Sequence, residues 1–168
     1  MHEDFDILEL ELISEFKLFL SDVKTFGFSG DSSWTYHLKK RLANLGKRKD
    51  YKIAVGGFGN EFAGEWLYDL VWYKEDEEGC LIKIPLIMES EWDKNYSGIK
   101  FDFEKLLIGN AEKRLMICQS RKRNIDNLLN QLKNAIDKFN ENINDRFLFA
   151  ILNCDTDDEF HFRTYTKK

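Results

Sequence analysis

Phe5, Leu8, Leu12, Phe16, Phe19, Val23 and Phe26 recur at intervals of three and four. That spacing predicts an amphipathic helix over residues 4 to 25. FGFSGDSS interrupts it. A second stripe, Trp34, Leu38, Leu42 and Leu45, predicts a helix capped by Ser32 or Ser33 and ended by Gly46. The pattern then shortens. YKIAVGGF reads as a strand and GNEF as a turn. EWLYDLVWY and CLIKIPLIMESEW read as two strands of a hairpin around the acidic turn KEDEEG. FDFEKLLIGN predicts a short helix from about Asp102, which would be its N-cap. KRLMICQS follows as a buried strand. NIDNLLNQLKNAIDKFNENI is a long helix on Ile125, Leu128, Leu129, Leu132, Ile136 and Phe139. RFLFAILNC and EFHFRTYTK are two last strands, able to pair across DTDD.

Strands alternating with helices late in the chain predict an α/β fold, a mixed central sheet flanked by helices. Neither a repeat nor a linker divides residues 1–168. The reading is one domain, with N-terminal helices at 4–46, a core at about 51–120, and a C-terminal helix and strands at 122–167.

Composition narrows the class. Hydrophobic residues make up 43 % of 168, too many for a disordered chain. No apolar run approaches the ~18–20 residues of a membrane span. The acidic N-terminus lacks the basic region of a secretory leader. Cys80, Cys118 and Cys154 are few and scattered, which suits a reducing, cytoplasmic setting better than a disulfide framework. His37 and His161 match no metal spacing. Net charge is −5, yet it is unevenly spread. Six acids and no Lys or Arg occupy the first fifteen residues. Seven Lys or Arg and one acid occupy Lys39 to Lys52.

PLIMESEWDK holds the sharpest chemical signal. In an extended chain Glu89 and Glu91 share one face. Like charges that close to a core call for a metal ion, a proton or a cationic partner. In EWLYDLVWY, Glu65 and Asp69 fall on one face, and Asp is disfavoured in mid-strand. Across a hairpin Asp69 would sit beside Glu89. Such a carboxylate cluster suits Mg²⁺ or Mn²⁺.

Asp69, then Glu89-Ser90-Glu91 after twenty residues, then the helix of DFEKLL, resembles the restriction-endonuclease-like PD-(D/E)XK superfamily. The order of elements over Tyr51 to Ser120 adds to the likeness. The chain departs from the pattern at Glu91, where the family usually has Lys. In some members that Lys comes from the following helix, a place Lys105 would fill here.

The resemblance implies a Mg²⁺- or Mn²⁺-dependent nuclease. Asp69, Glu89 and Glu91 would be metal ligands, with Lys105 completing the catalytic set. It also implies a nucleic-acid partner, DNA ahead of RNA, and no membrane. Lys39, Lys40, Arg41, Lys47, Arg48 and Lys49 are the expected backbone contacts. The rival expectation is a catalytically inactive interaction protein on the same fold. The sequence leaves oligomeric state open, a dimer included.

Overall fold

The computed structural model describes residues 4–139 and 145–167. The chain opens with α1 (Ile7–Phe26) and α2 (Asp31–Arg48). β1 (Lys52–Val55), β2 (Leu70–Glu75) and β3 (Leu81–Glu91) follow, then α3 (Tyr96–Ile108) and β4 (Lys113–Ser120). A 3₁₀ turn at Lys122–Asn124 leads into α4 (Ile125–Lys138), β5 (Arg146–Asn153) and β6 (Phe160–Thr166).

Among the described residues six strands form one sheet in sequence order, β1-β2-β3-β4-β5-β6. The β2–β3 hairpin is antiparallel, with Leu70 opposite Met88. β3, β4 and β5 are parallel, linked by α3 and α4. β6 returns antiparallel to β5. This is the mixed, helix-covered α/β sheet that the alternation of elements predicts.

The apolar runs of β3, β4 and β5 follow from burial on both faces. Leu86, Met88, Leu115, Ile117, Leu148 and Ala150 meet α1 and α2 on one side. Ile87, Met116, Phe147, Phe149 and Ile151 meet α3 and α4 on the other. α2 lies so close to the sheet that a methyl group on Gly46 would come within 2.7 Å of the Trp72 ring. Gly46 therefore sits inside α2 as a contact point, and the helix runs on to Arg48.

Polar clamps fix two helices. Asp6 and Glu9 form a capping box at the start of α1. Glu9 is fully buried, and its carboxylate takes both Arg146 Nε at 2.7 Å and Nη2 at 2.6 Å. That bidentate pair ties the first helix to β5. At the other face Arg114 of β4 is 1 % exposed. It donates to the carbonyls of Leu106 (3.0 Å), Gly109 (2.5 Å) and Ala111 (3.0 Å), and pairs with Asp145 at 2.8 Å. The last carbonyls of α3 thus find a donor they lack within the helix.

Several boundaries differ from the sequence reading. The expected strand EWLYDLVWY begins only at Leu70, so residues 65–69 are irregular. α2 starts at Asp31 after Gly30, with neither Ser32 nor Ser33 as its cap. α3 starts at Tyr96, six residues before Asp102, because Ile99, Phe103 and Leu106 continue its buried stripe. Asp102 is therefore not an N-cap. The expected helix over NIDNLLNQLKNAIDKFNENI is seen to Lys138, and residues 140–143 lie outside the described residues.

Candidate functional site

Glu89 and Glu91 occupy the end of β3, where the strand leaves the sheet. They share the parity of Ile87, so both carboxyl groups stand on the α3 side. Along β4, Met116 faces Glu89 and Cys118 faces Glu91.

Lys105, in the last turn of α3, reaches back over this surface. Its Nζ lies 3.2 Å from Glu89 Oε1 and 2.6 Å from Asp102 Oδ1. The Asp102 carboxyl in turn hydrogen-bonds the Glu91 carboxyl. Glu91 also accepts the Asp93 N–H at 2.6 Å. Glu89, Lys105, Asp102 and Glu91 therefore form a continuous polar row.

Glu89 is 2 % exposed. Burial pushes its carboxyl from the ordinary 4.5 up to about 8, with the charge of Asp69 adding to the effect and Lys105 opposing it. Burial also raises Glu91, and the neighbouring Asp102 raises it further against the Asp93 N–H. Burial alone would lower the Lys105 ammonium, but Asp102 and Glu89 hold it above its ordinary value. Tyr68 completes the wall. Its hydroxyl is raised by burial first and then by Glu89.

Asp69 precedes β2 rather than lying within it. Its Oδ2 accepts from Ser90 N at 2.9 Å and Ser90 Oγ at 2.7 Å. Its Oδ1 faces Lys39 Nζ at 3.4 Å. The same ammonium lies 3.2 Å from Glu65, which is half-exposed. Asp69 and Glu89 are thus electrostatic neighbours across the hairpin, but Asp69 is also held by Ser90 and Lys39.

Among the described residues, no group of three or more His, Cys, Asp or Glu side chains converges as a metal site. The expected convergence of three or four carboxylates on one point is not seen among these residues. The acids are spread along the row and interleaved with Lys39 and Lys105. What remains suited to a hard cation is the Asp69–Glu89 pair. Both are oxygen donors of the kind a hard cation takes, and each already faces an ammonium, Lys105 at Glu89 and Lys39 at Asp69.

The basic run is differently placed from the expected free phosphate-binding face. Lys39 is buried against Glu65 and Asp69. Lys40 pairs with Glu61, and Arg41 with Glu15 and Asp22. Lys47 donates to the Glu61 carbonyl and covers the Phe62 ring. Arg48 and Lys49 pair with Glu15 and Glu11. Acids of α1 thus answer Arg41, Arg48 and Lys49, and acids of the segment 61–69 answer Lys39 and Lys40.

Sequence reasoning gave two parts of this site other roles: Asp102 read as a cap and Lys39 as a phosphate-backbone contact. The i, i+3 spacing of Asp102 and Lys105 is the signal that was present for the first. Lys39 and Tyr68 carry no local signal. No protein-family model, curated protein or solved structure matches this chain.

Proposed function

We propose that the chain is a PD-(D/E)XK-type nuclease domain hydrolysing phosphodiesters, DNA ahead of RNA. The observation that carries the reading is the 3.2 Å contact of Lys105 with a buried Glu89 that stands beside the charge of Asp69 and keeps its proton near neutrality. In that reading Asp69 and Glu89 would hold Mg²⁺ or Mn²⁺, with the Ser90 carbonyl as a further oxygen, and the ion would supply Lewis acidity there.

The chain's own groups do the rest. Lys105, held by Asp102, keeps an ammonium at the mouth of the site, where negative charge develops on the phosphate. Glu91 is raised above an ordinary glutamate, which makes it a better acceptor for the proton of an attacking water. Ser90 fixes the Asp69 carboxylate through two hydrogen bonds, so its direction is set before any ligand arrives.

One observation favours the second reading, an inactive interaction module on the same fold. Lys39 already supplies a cation to Asp69 and Glu65. Calorimetric titration with Mg²⁺ and Mn²⁺, run beside a cleavage assay on labelled DNA and RNA, separates the two. The nuclease reading expects metal binding and cleavage that Asp69→Asn and Glu89→Gln both abolish. Metal-independent absence of cleavage, with no heat of binding, selects the interaction module.

A further inference from the structure

If the basic run is neutralised, the surface that meets a phosphate backbone must lie elsewhere. We infer that Lys94, Arg121, Lys122 and Arg123, at the ends of β3 and β4, form the docking surface for the phosphodiester backbone of a nucleic acid. This rests on the nuclease reading and gives its substrate a place to lie.

All four residues are exposed. Among the described residues none of their side chains has an ion pair or hydrogen bond. That contrasts with Lys39 to Lys49, where each cation has a partner from the same chain. Three consecutive cations and a fourth from the neighbouring loop make a local positive field, with the Asp155 carboxylate engaged by the Lys122 backbone N–H rather than by their side chains. The backbone beneath is firm. Lys122 N donates to Asp155 at 3.0 Å, and Asn124 N donates to the Arg121 carbonyl at 2.8 Å. The acids nearest in sequence are Asp93, which caps the Asn95 N–H, and Asp126.

Position supports the same use. β3 and β4 run parallel with Glu91 opposite Cys118. Arg121 lies three residues beyond that level, roughly 10 Å along the strand direction. A nucleic-acid strand rises about 3.4 Å per nucleotide, so one crossing Glu89 and Glu91 meets these cations within about three nucleotides. Beside Lys94 lies a cavity of 250 Å³ lined by Asn95, Ser120, Asn124, Asn127 and Gln131 together with Tyr96, Ile99 and Leu128. Its amide and hydroxyl groups are suited to phosphate and sugar oxygens.

The test measures binding of fluorescent single-stranded DNA, duplex DNA and RNA in EDTA, between 50 and 300 mM salt. Arg121→Ala/Lys122→Ala/Arg123→Ala is compared with Lys47→Ala/Arg48→Ala/Lys49→Ala. Loss of three phosphate contacts should flatten the duplex log–log salt slope by about 2 to 3 and weaken binding on the order of a hundredfold at 0.1 M salt. The second variant should keep the wild-type slope. The inference is overturned if the Lys47–Lys49 variant flattens the slope and the Arg121–Arg123 variant does not. It is equally overturned if wild type binds none of the three probes at 50 mM salt. Metal titration of the Arg121–Arg123 variant keeps the two readings apart. Wild-type Mg²⁺ binding with lost nucleic-acid affinity supports this surface, whereas lost Mg²⁺ binding in wild type itself bears only on the site.

Discussion

Glu89→Gln should remove one contribution to the fall of stability with rising pH. In the folded protein the Glu89 carboxyl holds its proton up to about 8, against 4.5 for an ordinary glutamate. The folded state therefore binds a proton that the unfolded chain has released. The stabilisation this gives is complete below pH 4.5, is lost progressively as pH rises, and is gone above about pH 8. At about 1.4 kcal/mol per pH unit, the full span is on the order of 5 kcal/mol. Between pH 5 and pH 8 wild type should lose on the order of 3 kcal/mol through this group. Glutamine has nearly the same shape, cannot ionise, and still offers Lys105 an oxygen. Urea unfolding of both proteins in EDTA at pH 5, 6.5 and 8 isolates the effect, because groups away from Glu89 cancel in the difference. The variant should gain on wild type steadily as pH rises. A difference that stays constant from pH 5 to pH 8 would refute the reasoning. It would mean that Lys105 keeps Glu89 ionised throughout.

Arg114→Ala should cost about 3–5 kcal/mol in urea unfolding, because it strips three carbonyls and Asp145 of a buried cation; a loss below about 1 kcal/mol would show that water replaces the guanidinium. Cys118 is fully buried, and burial together with Glu91 pushes its thiol up to about 12. In native protein at pH 8, iodoacetamide should modify exposed Cys80 and spare Cys118, as read by peptide mass spectrometry. Equal labelling of the two would mean that the end of β3 opens readily.

The elements most legible in the sequence are those whose burial is simple. The α1 stripe, the β2–β3 hairpin and the β5–β6 pair all follow from period alone. The irregular segment before β2 did not, for a physical reason. Glu65 to Asp69 has the aromatic alternation of a strand, but the N–H of Ser90 bonds the Asp69 carboxylate. A side chain stands where a ladder partner was expected, and no local pattern announces it. The start of α3 was hidden by Gly98, which weakens a helical reading. There a side chain would collide with Asp93, its Cβ 2.9 Å away, so close approach explains the glycine. Lys105 could be placed against Glu89 because a helix must cross back over the strand it follows. The partners of Lys39 to Lys49 come from residues 14 to 38 positions away, beyond the reach of any local period.

The two borders of the sheet are unlike. Beyond β1, the Ala63 segment takes the outer positions, with Val55 N bonded to the Ala63 carbonyl at 3.0 Å and Ala63 N to the Ile53 carbonyl at 3.1 Å. Beyond β6 no described strand follows. A sheet with two free margins can add copies without end, as fibres do. One that is hemmed by its own loop on one side can accept a neighbour only on the other. Two such chains meeting β6 to β6 would use up both margins at once, so edge-to-edge growth stops at the pair.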